Sequence, residues 1–243
     1  MLTIKGSAIF VSDIHLSESD SYTIDLFSQF LTKECSGCSY LFILGDLFDY
    51  WIGDDSLHFK NLYSSFKQLS KHTSIYFICG NRDFLVGEAF FKATNIMPLP
   101  EVSLIKINNQ EIIIMHGDTL CTDDIEYQEF RKESRSNSWK NDFLSKPLKE
   151  RMVICNELRI KSQEAKENKA EYIMDVNLNA VKKVFSEYDF PPLLIHGHTH
   201  RLKSHRYVFD KNECKRWVLG DWHGKGNFIA LEDNKPKYFY LSS

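Results

Sequence analysis

The chain lacks any apolar run approaching the ~18 residues of a membrane-crossing helix. Its first residues, Met1-Leu2-Thr3-Ile4-Lys5, lack the basic start and long apolar centre of a secretory leader. Both absences lead to the expectation of a cytoplasmic protein. Net charge is low: 30 Lys and Arg against 33 Asp and Glu leave −3, so nothing global points to nucleic acid as a partner. Closely spaced cysteines are scarce. Cys35-Ser36-Gly37-Cys38 has redox or half-zinc spacing, but no second pair completes a site, so it reads as an incidental surface pair in a Ser/Gly linker. A reducing compartment keeps the remaining thiols, Cys79, Cys121, Cys155 and Cys214, free. Repeats and low-complexity tracts are absent. What is present is ordinary globular material, 43% hydrophobic and 26% charged over 243 residues. That length suits one large α/β domain, or a domain with an insertion.

Apolar strands that stop at polar residues organise this material. Tyr40-Leu41-Phe42-Ile43-Leu44 reads as a buried strand, and Gly45-Asp46 comes directly after it. The same device recurs at Ala8–Val11 before Asp13-Ile14-His15, and at Ser74–Ile78 before Gly80-Asn81-Arg82-Asp83. It recurs again at Glu111–Met115 before His116-Gly117-Asp118, and at Leu193–Ile195 before His196-Gly197-His198-Thr199-His200. Between these strands, helical spacing of apolar residues predicts helices over Ser21–Lys33, around Phe59–Leu69, near Gly87–Thr94 and from Asp175 to about Tyr188. Asn108-Asn109-Gln110 predicts a hairpin, and the tail beyond Tyr207 reads as short strands. Alternating strands and helices argue a layered α/β fold.

From about Asp124 to Ala170 the texture changes to charged, helix-prone sequence. Residues 131–169 hold 11 Lys and Arg against 6 Asp and Glu, a surplus of five positive charges in a chain of net −3. Residues 1–123 and 171–243 then form the core and 124–170 a helical insertion. On a helix beginning near Pro147, Arg159, Ser162, Lys166 and Lys169 share one polar and basic face. Phe130, Trp139, Phe143, Leu144, Ile173 and Met174 are candidates to line an apolar groove beside it. A solvated basic face over core residues is the plainer alternative.

Strands that finish at one sheet edge bring together the residues just beyond their tips. The pooled candidates are Asp13, His15, Asp46, Asn81, His116, His198 and His200. Carboxylate, imidazole and one amide oxygen suit divalent ions such as Mn, Fe or Zn. Seven donors are too many for one ion and enough for two, if a carboxylate such as Asp46 bridges them. Two ions roughly 3.5–4 Å apart clamp a phosphoryl group and activate water.

The ordered motifs Asp13-Ile14-His15, Gly45-Asp46, Gly80-Asn81-Arg82-Asp83, His116-Gly117-Asp118 and Gly197-His198-Thr199-His200 resemble the signature of the calcineurin-like metallophosphoesterases. The resemblance implies an αββα sandwich and a dinuclear centre. One ion would be held by Asp13, His15, Asp46 and His200, the other by Asp46, Asn81, His116 and His198, with Mn2+ expected. Many members carry His after the motif Asn, whereas Arg82 stands there in this chain. Arg cannot serve as a general acid near neutral pH but can hold phosphate, which favours cleavage of a diphosphate.

Within that superfamily the insertion, Trp51–Asp55 and His116–Cys121 resemble the UDP-2,3-diacylglucosamine pyrophosphatases of lipid A biosynthesis, over residues 8 to about 224. The resemblance implies hydrolysis of that lipid-linked sugar nucleotide to lipid X and UMP. It assigns catalytic roles to Asp46, Asn81, Arg82 and His116, and substrate contacts to Asn81, Arg82, Asp124, Tyr127, Phe130, Arg159, Ser162, Lys166, Lys169, Met174 and His198. Lys166 departs from the Asn often found there. A basic, partly apolar insertion implies peripheral attachment to the inner membrane, with no obligate protein partner evident. The alternatives are a phosphoesterase acting on a soluble nucleotide diphosphate or phosphodiester, and a non-catalytic scaffold of the same fold.

Overall fold

A computed structural model describes residues 1–56, 58–168, 173–232 and 234–241; the side chains of 166–168 lie outside that description. Twelve strands occur in the order β1 (Leu2–Ile4), β2 (Ala8–Val11), β3 (Tyr40–Ile43), β4 (Ser74–Phe77), β5 (Met97–Pro98), β6 (Val102–Ile107), β7 (Gln110–Met115), β8 (Leu193–His196), β9 (Lys203–Phe209), β10 (Asn212–Val218), β11 (Asn227–Glu232) and β12 (Lys235–Tyr240). The helices are α1 (Ser21–Lys33), α2 (Lys60–Leu69), α3 (Glu88–Thr94), α4 (Ile125–Ser134), α5 (Asn137–Ser145), α6 (Leu148–Asn168) and α7 (Leu178–Glu187).

The strands form two six-stranded sheets, ordered β12-β11-β2-β3-β4-β5 and β1-β6-β7-β8-β10-β9. In the first, β2, β3 and β4 run parallel with Val11 opposite Ile43 and Ile43 opposite Phe77, so all three leave the sheet at one edge. In the second, β7 and β8 are parallel with Ile114 opposite Ile195. Residues on β2, β3, β7 and β8 are buried almost throughout, which is why those strands read as continuous apolar runs rather than alternating ones.

The sheets stack on a shared core. Phe10 stacks on Phe42 at 5.0 Å between ring centroids, Phe42 on Tyr76 at 5.1 Å, and these rings meet Ile105, Ile112, Ile114, Leu193 and Ile195 of the other sheet. Outside the first sheet, Phe27, Phe30, Phe66 and Phe90 from α1 to α3 cover Val11, Ile43 and Phe77. Outside the second, Val181 and Phe185 of α7 cover Ile113, Met115 and Leu194. The layers run α/β/β/α, as expected.

Local chemistry sets the element ends. Asp20 caps α1 by accepting from the Thr23 amide at 3.1 Å. Asn108 and Asn109 adopt φ of 49° and 72°, the left-handed pair a two-residue hairpin needs. Helix α7 begins at Leu178 rather than Asp175, because the Asn177 side chain caps it by accepting from the amides of Asn179 and Ala180. Among the described residues no helix is long and apolar enough to cross a membrane.

Two expectations are corrected. Cys35 and Cys38 are buried, not a surface pair, because both pack into the core cluster beneath α1, where the Thr73 hydroxyl donates its one hydrogen to the Cys38 carbonyl at 2.8 Å, with the Cys35 carbonyl at 3.3 Å. Phe143 is only 2% exposed and Trp139 stacks on it at 5.0 Å, so these rings fasten α5 to the core under Phe84 instead of lining an open groove. Arg151 fastens α6. Its guanidinium donates to the Ile52 carbonyl and to both oxygens of Asp55, each at 2.7 Å, and to the Lys146 carbonyl at 2.7 Å. Replacing Arg151 by Ala leaves two carbonyls without donors and is expected to cost about 2 kcal/mol, read as a lowered melting temperature.

Candidate active site

The candidate donors sit just past five strands: Asp13 and His15 after β2, Asp46 after β3, Asn81 after β4, His116 after β7, His198 and His200 after β8. Asp13, His15, Asp46, His198 and His200 have φ between 52° and 67°, a left-handed conformation that non-glycine residues adopt at a cost. The sharp turn at each tip swings the side chain out of its strand and into the common pocket. Glycines let the tips approach. A Cβ on Gly80 would lie 2.1 Å from Asp46 Oδ1 and 2.5 Å from its amide nitrogen, and one on Gly197 would lie 2.1 Å from Asp13 Oδ2.

The donors form two groups. In the first, His15 Nε2 and His200 Nε2 face each other at 3.4 Å, and His200 Nε2 is 3.3 Å from Asp13 Oδ1. In the second, Asn81 Oδ1 lies 3.0 Å from His116 Nε2 and 2.9 Å from His198 Nδ1. Asp46 stands between: Oδ2 is 4.0 Å from His15 Nε2 and Oδ1 is 3.7 Å from His116 Nε2. All seven candidates converge.

The donor set fits divalent ions. Asp13 is fully buried, and its Oδ1 has no partner besides the His200 imidazole at 3.3 Å, a sparse shell for a buried carboxylate oxygen that a cation would complete. The His116 Nδ1–H donates to the Leu44 carbonyl at 2.8 Å, which leaves the Nε2 lone pair aimed at the Asn81 and Asp46 oxygens. Several lone pairs pointing at one another are the arrangement of a ligand shell.

Supporting residues received no role from the sequence: Asp83 and His196 stand inside its motifs, and Asp221 outside them. Asp221 Oδ2 lies 3.2 Å from His200 Nδ1 and orients that ring. Asp83 accepts from the Gly80 and Leu47 amides at 2.7 and 2.8 Å; burial, reinforced by the Asp46 charge, pushes its carboxyl up to about 7. His196 is buried as neutral imidazole, accepting from Arg216 Nη1 at 3.0 Å, and burial with that neighbouring charge pushes it down to about 3. Its contribution to stability is therefore complete above about pH 6.5 and is lost as pH falls toward 3. In His196→Gln, the fall in melting temperature between pH 7 and pH 4.5 is expected to be shallower than in the wild type.

The candidate substrate contacts are less uniformly gathered. Tyr127 lies beside His198, ring centroids 5.7 Å apart, and Asp124 caps the same helix by accepting from the Tyr127 amide. Arg82 donates its amide to Asp46 Oδ1 at 2.8 Å. Arg159 is bound to Asp49 at 2.7 Å. Phe130 is exposed, and Ser162 and Met174 are half-buried. Lys169 and the side chain of Lys166 lie outside the described residues.

A pooled set of carboxylate, imidazole and amide donors at the edge of an α/β sandwich defines a metal-dependent hydrolase. Residues 7–202 match the family model described as calcineurin-like phosphoesterase, and the chain belongs to that family. It is similar to the UDP-2,3-diacylglucosamine hydrolase of Aromatoleum aromaticum, 42% identical over 95% of both chains. Proteins of the same name from Photorhabdus laumondii, 41% identical over 93% of this chain and 95% of theirs, and from Shewanella loihica, 39% identical over 97% and 95%, are similar to it as well.

Proposed function

We propose that this chain hydrolyses UDP-2,3-diacylglucosamine, water attacking the α-phosphorus in line so that UMP and 2,3-diacylglucosamine 1-phosphate are released. Two divalent ions, Mn2+ foremost, would be held by Asp13, His15, Asp46 and His200 and by Asp46, Asn81, His116 and His198. When bound, such ions supply Lewis acidity and lower the pKa of water. The observation that carries the reading is the division of Asp46, one oxygen toward each group of donors. The relatives' shared name supports the substrate.

The chain's own residues do the rest. Asn81 and His198 meet the phosphate from the side of the second donor group. Arg82 neutralises developing charge, and because the leaving group is itself a phosphate, no protonated imidazole is needed in its place. Tyr127 and Asp124 bound the nucleotide side. Residues 124–170 act as a lid, in which Phe130, Arg159, Ser162, Lys166 and Lys169, with Met174 just beyond it, receive the acylated sugar.

Membrane attachment belongs to the same reading. Ile125, Phe130, Leu144, Val153 and Ile160 are exposed on the helices that carry the basic surplus. Exposed apolar groups among positive charges suit an anionic lipid surface, so the protein would sit peripherally on the inner membrane. The double variant Val153→Asp, Ile160→Asp is expected to lose sedimentation with anionic vesicles while still cleaving detergent-dispersed substrate.

The deciding experiment measures UMP release from UDP-2,3-diacylglucosamine beside water-soluble nucleotide diphosphates, with Mn2+ and with a chelator. Metal-dependent preference for the lipid is expected. Preference for the soluble compounds would establish a soluble-nucleotide phosphoesterase instead.

A further inference from the structure

Helix α4 borders the pocket, yet Tyr127, Gln128 and Arg131 of the helix, and Arg135 just past its end, are turned toward the segment around one buried carboxylate. Asp118, 1% exposed, comes directly after His116-Gly117. Its Oδ2 accepts from the Tyr127 hydroxyl at 2.9 Å, from Arg131 Nε at 2.7 Å and from Arg135 Nη2 at 3.3 Å. Gln128 adds donations to the Asp118 and Cys121 carbonyls at 2.9 and 3.0 Å. Three side chains of the helix and that of Arg135, its C-cap, thus converge on the segment after β7.

Two of them reach further. The Tyr127 ring lies beside His198. Arg135 Nη2 also donates to the Gly80 carbonyl at 3.0 Å, while its guanidinium lies 5.2 Å from the centre of the Phe84 ring and its Nη1 is 3.7 Å from Glu101. Gly80 immediately precedes Asn81. A glycine there is required by the approach of Asp46, and a glycine is also the residue with the greatest backbone freedom. That freedom is removed from both sides: Asp83 holds the Gly80 N–H at 2.7 Å and Arg135 holds its C=O.

Resting on the two-ion reading above, we infer that α4 is a splint for the metal centre as well as part of the lid, and that Arg135 is the positioning residue that sets Asn81. The splint spans three strand tips, at Gly80-Asn81, at His116–Asp118 and at His198. A substrate role does not account for Arg135, whose side chain is 18% exposed and already bound to Asp118, Gly80 and Phe84. Outer partners of this kind are worth roughly ten- to a hundredfold in ion affinity.

The test is Mn2+ binding to the ion-stripped full-length chain, monitored by electron paramagnetic resonance of free Mn2+, for the wild type, Arg135→Gln and Arg135→Lys. One of the two ions is expected to bind about tenfold or more weakly in Arg135→Gln. Arg135→Lys should be weakened too, because a single ammonium cannot serve Gly80 and Asp118 as a planar fork does. Circular dichroism checks folding, and the lysine variant carries the test if the glutamine variant does not fold. Wild-type affinity at both sites in the variants would overturn the assignment. A wild-type chain that takes up no Mn2+ would overturn the two-ion reading beneath it, so the two failures are told apart.

Discussion

Asp46→Ala is expected to lower hydrolysis by roughly a thousandfold or more, with far-UV circular dichroism unchanged. The size of the effect comes from position. Asp46 is 2% exposed, and its two oxygens face different groups of donors. Truncation removes a donor from each half at once, and also frees the Arg82 amide that Oδ1 receives at 2.8 Å. Asp46→Asn separates these effects, since it can still accept from Arg82 but brings no charge to the pocket. It is expected to keep the fold, with the Arg82 amide still answered, and to restore activity hardly at all. Metal content, measured on the same preparations, should fall in both variants. Wild-type turnover in either would sink the assignment of Asp46 to the centre.

Gly80→Ala is expected to be nearly as severe by a different route. The added methyl would overlap Asp46 Oδ1 and crowd the Asp46 amide, and backbone cannot step aside as a flexible side chain can. The tip after β4 must move away from the tip after β3. Because Arg135 and Asp83 hold Gly80 on either side, the displacement strains them as well. We expect a loss of about 2–3 kcal/mol in stability and about a hundredfold in turnover. Thermal melts and steady-state kinetics check the two parts. An alanine variant with intact kinetics would mean that the close approach of these tips is not needed for the chemistry.

The layered fold and the strand tips were legible in the sequence because buried parallel strands are apolar throughout and end abruptly. A run such as Leu41–Leu44 broken by Gly45-Asp46 leaves little choice of element or of edge. Helix α1 was legible to the residue, since Ile24, Phe27 and Leu31 repeat at helical spacing. The features that stayed hidden depend on pairings across the chain. Nothing near Asp118 in the sequence announces Arg135, nor does anything near His200 announce Asp221. Phe143 and Trp139 were misread because an aromatic that fastens a helix and one that lines a groove have the same composition. Cys35 and Cys38 were misread because Ser-Gly texture looks exposed until Thr73, 35 residues beyond Cys38, closes over it.

The donors are divided between the two sheets. The first sheet contributes Asp13, His15, Asp46 and Asn81, and the second His116, His198 and His200. Each ion in the proposed centre would therefore draw ligands from both layers of the sandwich and act as a rivet between them. Layers that slide apart on warming would shed their ions before either sheet melts, so loss of function would precede loss of secondary structure.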